Sequence, residues 1–219
     1  MTTLGERIAG GLWGLLVGDA LGVPYEFHAP EALPPRADLE MVPPAGFRRA
    51  HASVPPGTWS DDGAQALCLL ASLLERRRFV PEDFARRLVA WRREGYMAVD
   101  GRVFDVGIQT DAVLAKLAAG VPPSEAAPRD ERSNGNGSLM RVLPLALWHR
   151  GGDAELVRDA HAQSRVTHAH VRSEVLSPFT ASGRGRSWKA SRTPGEPRCS
   201  GSRPSTAPGR TLTPRSWSR

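Results

Sequence analysis

Apolar residues return at helical spacing over most of this chain, and no stretch alternates apolar with polar long enough to argue a strand. Helical patterns run over residues 4–21, 64–78, 82–94, 110–119, 138–149 and 153–163, with turn residues between them. Local signals agree with these limits. Pro81 suits a first helical position with Glu82 and Asp83 behind it, and Gly95 and Gly120 sit where helices stop. A chain of 219 residues with this pattern is expected to form one all-α domain.

The pattern ends at residue 176. Residues 177–219 are rich in Ser, Arg, Gly, Pro and Thr, show no helical period and contain no Asp. They carry nine Lys and Arg against a single acid, Glu196, so the net charge of +6 belongs to this tail and residues 1–176 are slightly acidic. Such a segment buries too little apolar surface to offset its conformational entropy, and disorder is expected there. Two readings of the tail stand side by side. A basic, Trp-containing arm can bind nucleic acid, the less favoured reading. A frame shift in a GC-rich gene, or an equivalent truncation, produces the same composition. The division expected is therefore a helical domain over 1–176 and a low-complexity tail over 177–219.

Glu6 and Asp19 interrupt the apolar N-terminal stretch, which lacks a basic leader, so secretion is not expected. No run of 18 residues is both apolar and uncharged, so no membrane span is expected either. Cys68 and Cys199 do not make a disulfide framework, which fits a reducing cytoplasm.

Four stretches carry candidate chemistry. In the first helix Gly10, Gly14, Gly18 and Gly22 recur every four residues on one face, a bare ridge suited to close packing or to a ligand. Asp19 and Glu26 beside it need partners if they are buried. In GTWSDDGAQALCLL (57–70), Ser60, Asp61 and Asp62 precede an apolar helix. Either they cap that helix, where acids gain about 0.3–1 kcal/mol from the dipole, or their hard oxygen atoms hold Mg2+ or Mn2+. In SNGNGSLMRVLPLALW (133–148), two Asn-Gly pairs lead into a helix expected from Ser138, whose free N–H groups would suit a diphosphate; a plain turn is the alternative. In SRVTHAHVRS (164–173), His168 and His170 are ligands, hydrogen-bond donors or surface residues.

Together these stretches resemble the ADP-ribosylglycohydrolase family. The resemblance rests on GDALGVPYEF (18–27), GTWSDDGAQAL (57–67), NGSLMRVLPLAL (136–147) and THAH (167–170), in that order, with DVGIQTDAVLAKLAAG (105–120) similar to a family helix between the second and third. It implies an all-α fold around two Mg2+ ions, sometimes Mn2+, and hydrolysis of the glycosidic bond joining ADP-ribose to a protein side chain or small conjugate. On that resemblance Ser60, Asp61 and Asp62 are metal ligands, with Ser in place of the commoner Thr. Asp61 or Asp62 takes the proton from the attacking water, and Glu26 gates the site or contacts metal. Asn136, Gly137 and Ser138 hold the diphosphate, and His168 contacts the ribose or phosphate region. The family's second metal stretch, Asp-x-Asp-Ser/Thr, has no counterpart in the chain. A non-catalytic ADP-ribose or nucleotide binder is the alternative function.

Overall fold

The computed structural model describes residues 2–189, with side chains through residue 181. Among the described residues the regular structure is all helical, as expected from the periodicity. Helix α1 is Leu4–Gly22, α2 Asp61–Arg76, α3 Pro81–Glu94, α4 Ile108–Ala118, α5 Pro123–Ala126, α6 Leu143–Trp148, α7 Asp153–Arg165 and α8 Val171–Lys189. Residues 23–60 form no α-helix and contain short 3-10 turns at Val23–Tyr25, Pro30–Ala32 and Arg36–Asp38.

Helix limits follow local chemistry. Thr3 and Glu6 make a reciprocal capping box at the start of α1. Pro81 opens α3, and left-handed residues, Arg77 and Gly95, close α2 and α3. Helix α2 lies at the centre, packed on α1, α3 and α6, while α8 covers α6 and α7. The apolar face of α2 meets those of α3 and α6: Leu69, Leu73, Phe84, Leu88 and Leu145 are completely buried, and Trp91 of α3 and Leu114 of α4 nearly so. Each such side chain contributes about 1.5–3 kcal/mol through loss of apolar surface to water. At the outer end of the α2–α3 pair Asp83 binds Arg76 (2.9 Å), Arg86 (2.7 Å) and Arg87 (2.8 Å), and Arg87 also meets Glu75. These arginines hold the Asp83 carboxyl well below the usual range despite burial.

Three expectations are corrected. First, the glycine ridge of α1 makes no close packing: a Cβ at Gly10, Gly14, Gly18 or Gly22 would meet nothing within 4 Å. The close approaches occur instead at Gly11, beside Leu147, and at Gly63 of α2. Leu4–Tyr25 is long and apolar enough by length and composition to cross a membrane. In the fold it packs on α2 and α6, and Asp19 ties it to the start of α2.

Second, the helix expected from Ser138 begins at Leu143. Pro144 has no N–H for the carbonyl four residues back, and its ring crowds that carbonyl, so it favours a first turn; α8 bears the same cost at Pro178 in its interior. Residues 138–141 therefore form turns, and the helix N-terminus expected to face the Asn-Gly loop is absent from that position.

Third, helical backbone continues past residue 176 to Lys189. The buried positions there are Ser173, Ser177 and Ala181, four apart, together with Pro178. A stripe of small residues seats α8 closely on its neighbours but carries no large-apolar signal in the sequence, while Leu176 and Phe179 are exposed. The expectations for residues 190–219, including the bulk of the proposed nucleic-acid arm, lie outside the described residues.

Candidate functional site

Asp19 builds the floor of the site. Its carboxylate accepts from the Ser60 hydroxyl (2.7 Å), the Ser60 N–H (3.0 Å) and the Gly63 N–H (2.7 Å), so α1 caps α2 from outside the helix. Gly63 makes this contact sterically feasible: a Cβ there would lie 2.9 Å from Asp19 Oδ2, Leu16 Cδ2 and Trp59 Cβ. Ser60 is the N-cap residue of α2, and its hydroxyl accepts from the Asp62 N–H at 3.4 Å. Capping thus employs Ser60 and Asp19, and leaves the carboxylates of Asp61 and Asp62 for other work.

Both line an open cleft of about 480 Å³, with Asp61, Asp62 and Asp105 on one side and Asn134–Gly137, Arg132 and His168 on the other. Burial first, then the charges of Asp62, Asp105, Asp19 and Glu26, pushes the Asp61 carboxyl up to about 8. Asp62 is pushed up to about 7 by burial, then by Asp19, Glu26 and Asp105. Burial likewise raises Asp19 and Glu26. Five carboxyl groups share this region, and their excess of negative charge suits a cation.

Glu26 stands beside the cleft, paired with His51 Nε2 at 2.8 Å, and Asp105 Oδ1 lies 3.7 Å from the same nitrogen. The three ligand atoms lie within 4.8 Å of one another. Phe27, His51 and Asp105 all adopt left-handed backbone (φ 61°, 47° and 54°), a conformation that costs a non-glycine residue about 1 kcal/mol or more. Phe27 and Phe104 both pack edge-on against the His51 ring.

Across the cleft the Asn-Gly loop lies over His168. A Cβ at Gly137 would come within 2.8 Å of His168 Cε1, so that position requires glycine for this approach, while one at Gly135 would make a tight contact of 3.3 Å with Nε2. Asn136 is exposed on the loop, and its carbonyl accepts from the Leu139 N–H at 2.7 Å. Ser138 is a correction. It does not line the cleft; its hydroxyl is fully buried between Ser164 (2.8 Å) and Ser177 (3.2 Å), where the turn ahead of Pro144 directs it inward. His168 and His170 are buried, not surface residues.

A set of buried side chains joins the two walls. Gln65, one turn along α2, donates from Nε2 to Asp61 Oδ2 (3.0 Å) and accepts from Arg141 Nη1 (2.8 Å). Arg141 also donates to Thr167, whose hydroxyl contacts His168 Nδ1 at 2.8 Å. Asp19, His51, Gln65, Asp105, Arg141 and Thr167 were not singled out as site residues from the sequence. Asp19, Gln65, Arg141 and Thr167 do stand inside four of the quoted motifs, Asp105 opens a fifth, and His51 lies outside them.

The donor set fits a divalent cation: Ser60, Asp61 and Asp62 offer only hard oxygen atoms, and Glu26, His51 and Asp105 add a mixed oxygen–nitrogen set beside them.

Residues 1–180 match the family profile described as ADP-ribosylglycohydrolase. An ADP-ribosylarginine hydrolase, Tri1, of Pseudomonas putida is 34% identical over 166 residues, covering 74% of this chain and 42% of that protein. An ADP-ribosyl-[dinitrogen reductase] glycohydrolase of Rhodospirillum rubrum is 29% identical over 78% of this chain and 54% of its own length. A solved structure titled as an ADP-ribosylglycohydrolase-related protein complex superposes with a TM-score of 0.65 at 34% identity, over 84% of this chain and 56% of that one. The chain thus spans about half the length of the relatives it matches.

Proposed function

Because the chain belongs to the ADP-ribosylglycohydrolase family, we propose that it hydrolyses the glycosidic bond between ADP-ribose and a protein side chain or small conjugate. The observation that carries this reading is the cleft itself. Sequence stretches more than a hundred residues apart meet there, with acids on one wall and a glycine-rich loop, Arg132 and His168 on the other. Such a bipolar site suits a ligand with an anionic diphosphate at one end and a reacting sugar at the other. ADP-ribosyl-arginine is the first substrate to test, since that acceptor appears in the names of relatives 34% and 32% identical.

Asp61 and Asp62, with the Ser60 hydroxyl, would hold Mg2+, with Mn2+ as a substitute. The family's two-ion arrangement would draw its further ligands from Glu26 and Asp105. When bound, such an ion orients sugar hydroxyls and lowers the pKa of its water. The chain's own residues do the rest. Asp62, partly exposed in the cleft, takes the proton from the water that attacks the anomeric carbon. Gln65 holds Asp61 in place, and His51 holds Glu26 at the rim. Asn136 and Gly137 present the loop that receives the diphosphate, and Arg132 adds positive charge beside it.

The test is release of ADP-ribose from an ADP-ribosyl-arginine conjugate, with Mg2+ and with chelator. Turnover that depends on Mg2+ and is lost in Asp61→Ala and Asp62→Ala is expected. Equal turnover by those variants and the parent removes the assigned metal arm. Binding of ADP-ribose with no turnover assigns the cleft a binding role alone.

A further inference from the structure

Arg141 is completely buried, stacked 5.0 Å from the Phe84 ring centre, and none of its hydrogen-bond partners is a carboxylate. Nε donates to Gln163 Oε1 (3.1 Å), Nη1 to Gln65 Oε1 (2.8 Å), and Nη2 to the Gln163 carbonyl (3.1 Å) and to Thr167 Oγ1 (2.7 Å). A guanidinium has donors and no acceptor, so the direction of every one of these bonds is fixed.

The consequence runs outward through Thr167. Its oxygen accepts from Arg141, and its hydroxyl hydrogen must go elsewhere. The other atom in reach among the described residues is His168 Nδ1, at 2.8 Å. Thr167 is completely buried, and a buried hydroxyl hydrogen without an acceptor costs about 1–3 kcal/mol. Nδ1 is therefore the acceptor, and a neutral imidazole that accepts at Nδ1 carries its proton on Nε2. Among the described residues Nε2 has no hydrogen-bond partner; it lies beneath Gly135 and Gly137 in the cleft wall. Burial, then the charge of Arg141, holds the ring's pKa down at about 3, so the doubly protonated form does not compete near neutrality.

We infer that Arg141, acting through Thr167, fixes His168 as the neutral Nε2–H tautomer, so that His168 meets the ligand as an obligate hydrogen-bond donor to an acceptor oxygen, and not as a base or a cation. Arg141 and Thr167 are positioning residues in this arrangement. The inference rests on the reading of the cleft as an ADP-ribose site only for the identity of the ligand; the tautomer is a property of the protein alone. The same guanidinium sets the other wall too. It claims Gln65 Oε1, which turns the Gln65 amide nitrogen toward Asp61.

The decisive measurement is a long-range proton–nitrogen correlation spectrum of the full chain, labelled with 15N-histidine, at neutral pH without ligand, the His168 signals being identified by their loss in His168→Gln. A deprotonated Nδ1 and a protonated Nε2 are expected. An Nδ1–H tautomer or an imidazolium in the parent protein overturns the inference before any variant is made. Thr167→Ser should preserve the parental pattern, and Thr167→Val should shift it toward Nδ1–H; a Val variant that keeps the parental tautomer also overturns it. ADP-ribose binding by calorimetry completes the test. Thr167→Ser should stay within about twofold of the parent and Thr167→Val should weaken about tenfold, equivalent to about 1.4 kcal/mol. A Val variant with a shifted tautomer and undiminished affinity sinks the donor role. If the parent binds no ADP-ribose, the proposed function fails, and the spectrum still decides the tautomer.

Discussion

Replacing Asp61 by Asn should make the metal-free protein more stable. The Asp61 carboxyl is 5% exposed and pushed up to about 8 by burial and by four neighbouring acids. An unfolded Asp releases its proton near its model value of 3.8, so between that pH and about 8 folding takes up a proton. Stability therefore falls as pH rises through this window, by at most about 1.36 kcal/mol per pH unit. The ceiling at pH 7 is about 4 kcal/mol, and because Asp62 shares the same proton balance, roughly half of that, about 2 kcal/mol, is expected from Asp61 alone. Asn preserves the shape and still offers an oxygen to Gln65 Nε2, but it has no charge to desolvate. For a chain of this size about 2 kcal/mol raises the melting temperature by roughly 4–8 °C. The assay is thermal unfolding by circular dichroism in chelator at pH 5 and pH 7.5, then with millimolar Mg2+. The gap should be large at pH 7.5 and narrow at pH 5. Mg2+ should raise the midpoint of the parent and leave that of the variant unchanged. An Asn variant no more stable than the parent in chelator at pH 7.5, or a gap that ignores pH, would refute the account of a crowded acidic site.

Three further substitutions probe the scaffold. Gly63→Ala should cost about 1–3 kcal/mol in denaturant unfolding, because the added methyl overlaps Asp19, Leu16 and Trp59, and the Mg2+ response should go with it. Gly137→Ala should leave the melting temperature nearly unchanged while calorimetric affinity for ADP-ribose drops at least about tenfold, since the loop must rise off His168; unaltered affinity would remove the loop from the site. Leu69→Ala, at the centre of the α2–α3 contact, should lose about 2–5 kcal/mol in the same unfolding assay, and a loss below about 1 kcal/mol would mean the core collapses around it.

Much of this molecule is legible in its residues. The 3.6-residue period marks the helical class, and α1, α2, α3, α4 and α7 lie close to their expected limits, most clearly α2 and α3, which couple a large-apolar face with a cap or stop. Helix α8 escaped because its buried side is Ser173, Ser177, Pro178 and Ala181, which no hydrophobic pattern marks and whose proline argues against a helix. The late start of α6 was readable from Pro144, the one residue that forbids a helix running through from Ser138. The motifs bring Asp61, Asp62, Asn136, Gly137 and His168 to one cleft, with Glu26 beside it, and turn Ser138 away.

The sequence by itself determined which groups carry charge, which segments coil and which residue types await a cation and a phosphate, because those properties belong to residues and their near neighbours. Only the tertiary structure decided which groups face one another. Gly63 could be recognised as the point of close approach only once Asp19 lay against it, and the α1 glycines as open only once nothing did. Arg141 could be recognised as the link between Asp61 and His168 only once its partners, 22, 26 and 76 residues away along the chain, had closed around it. Hydrogen-bond direction and pKa depend on burial and on distance through space, and neither quantity exists until the helices have packed.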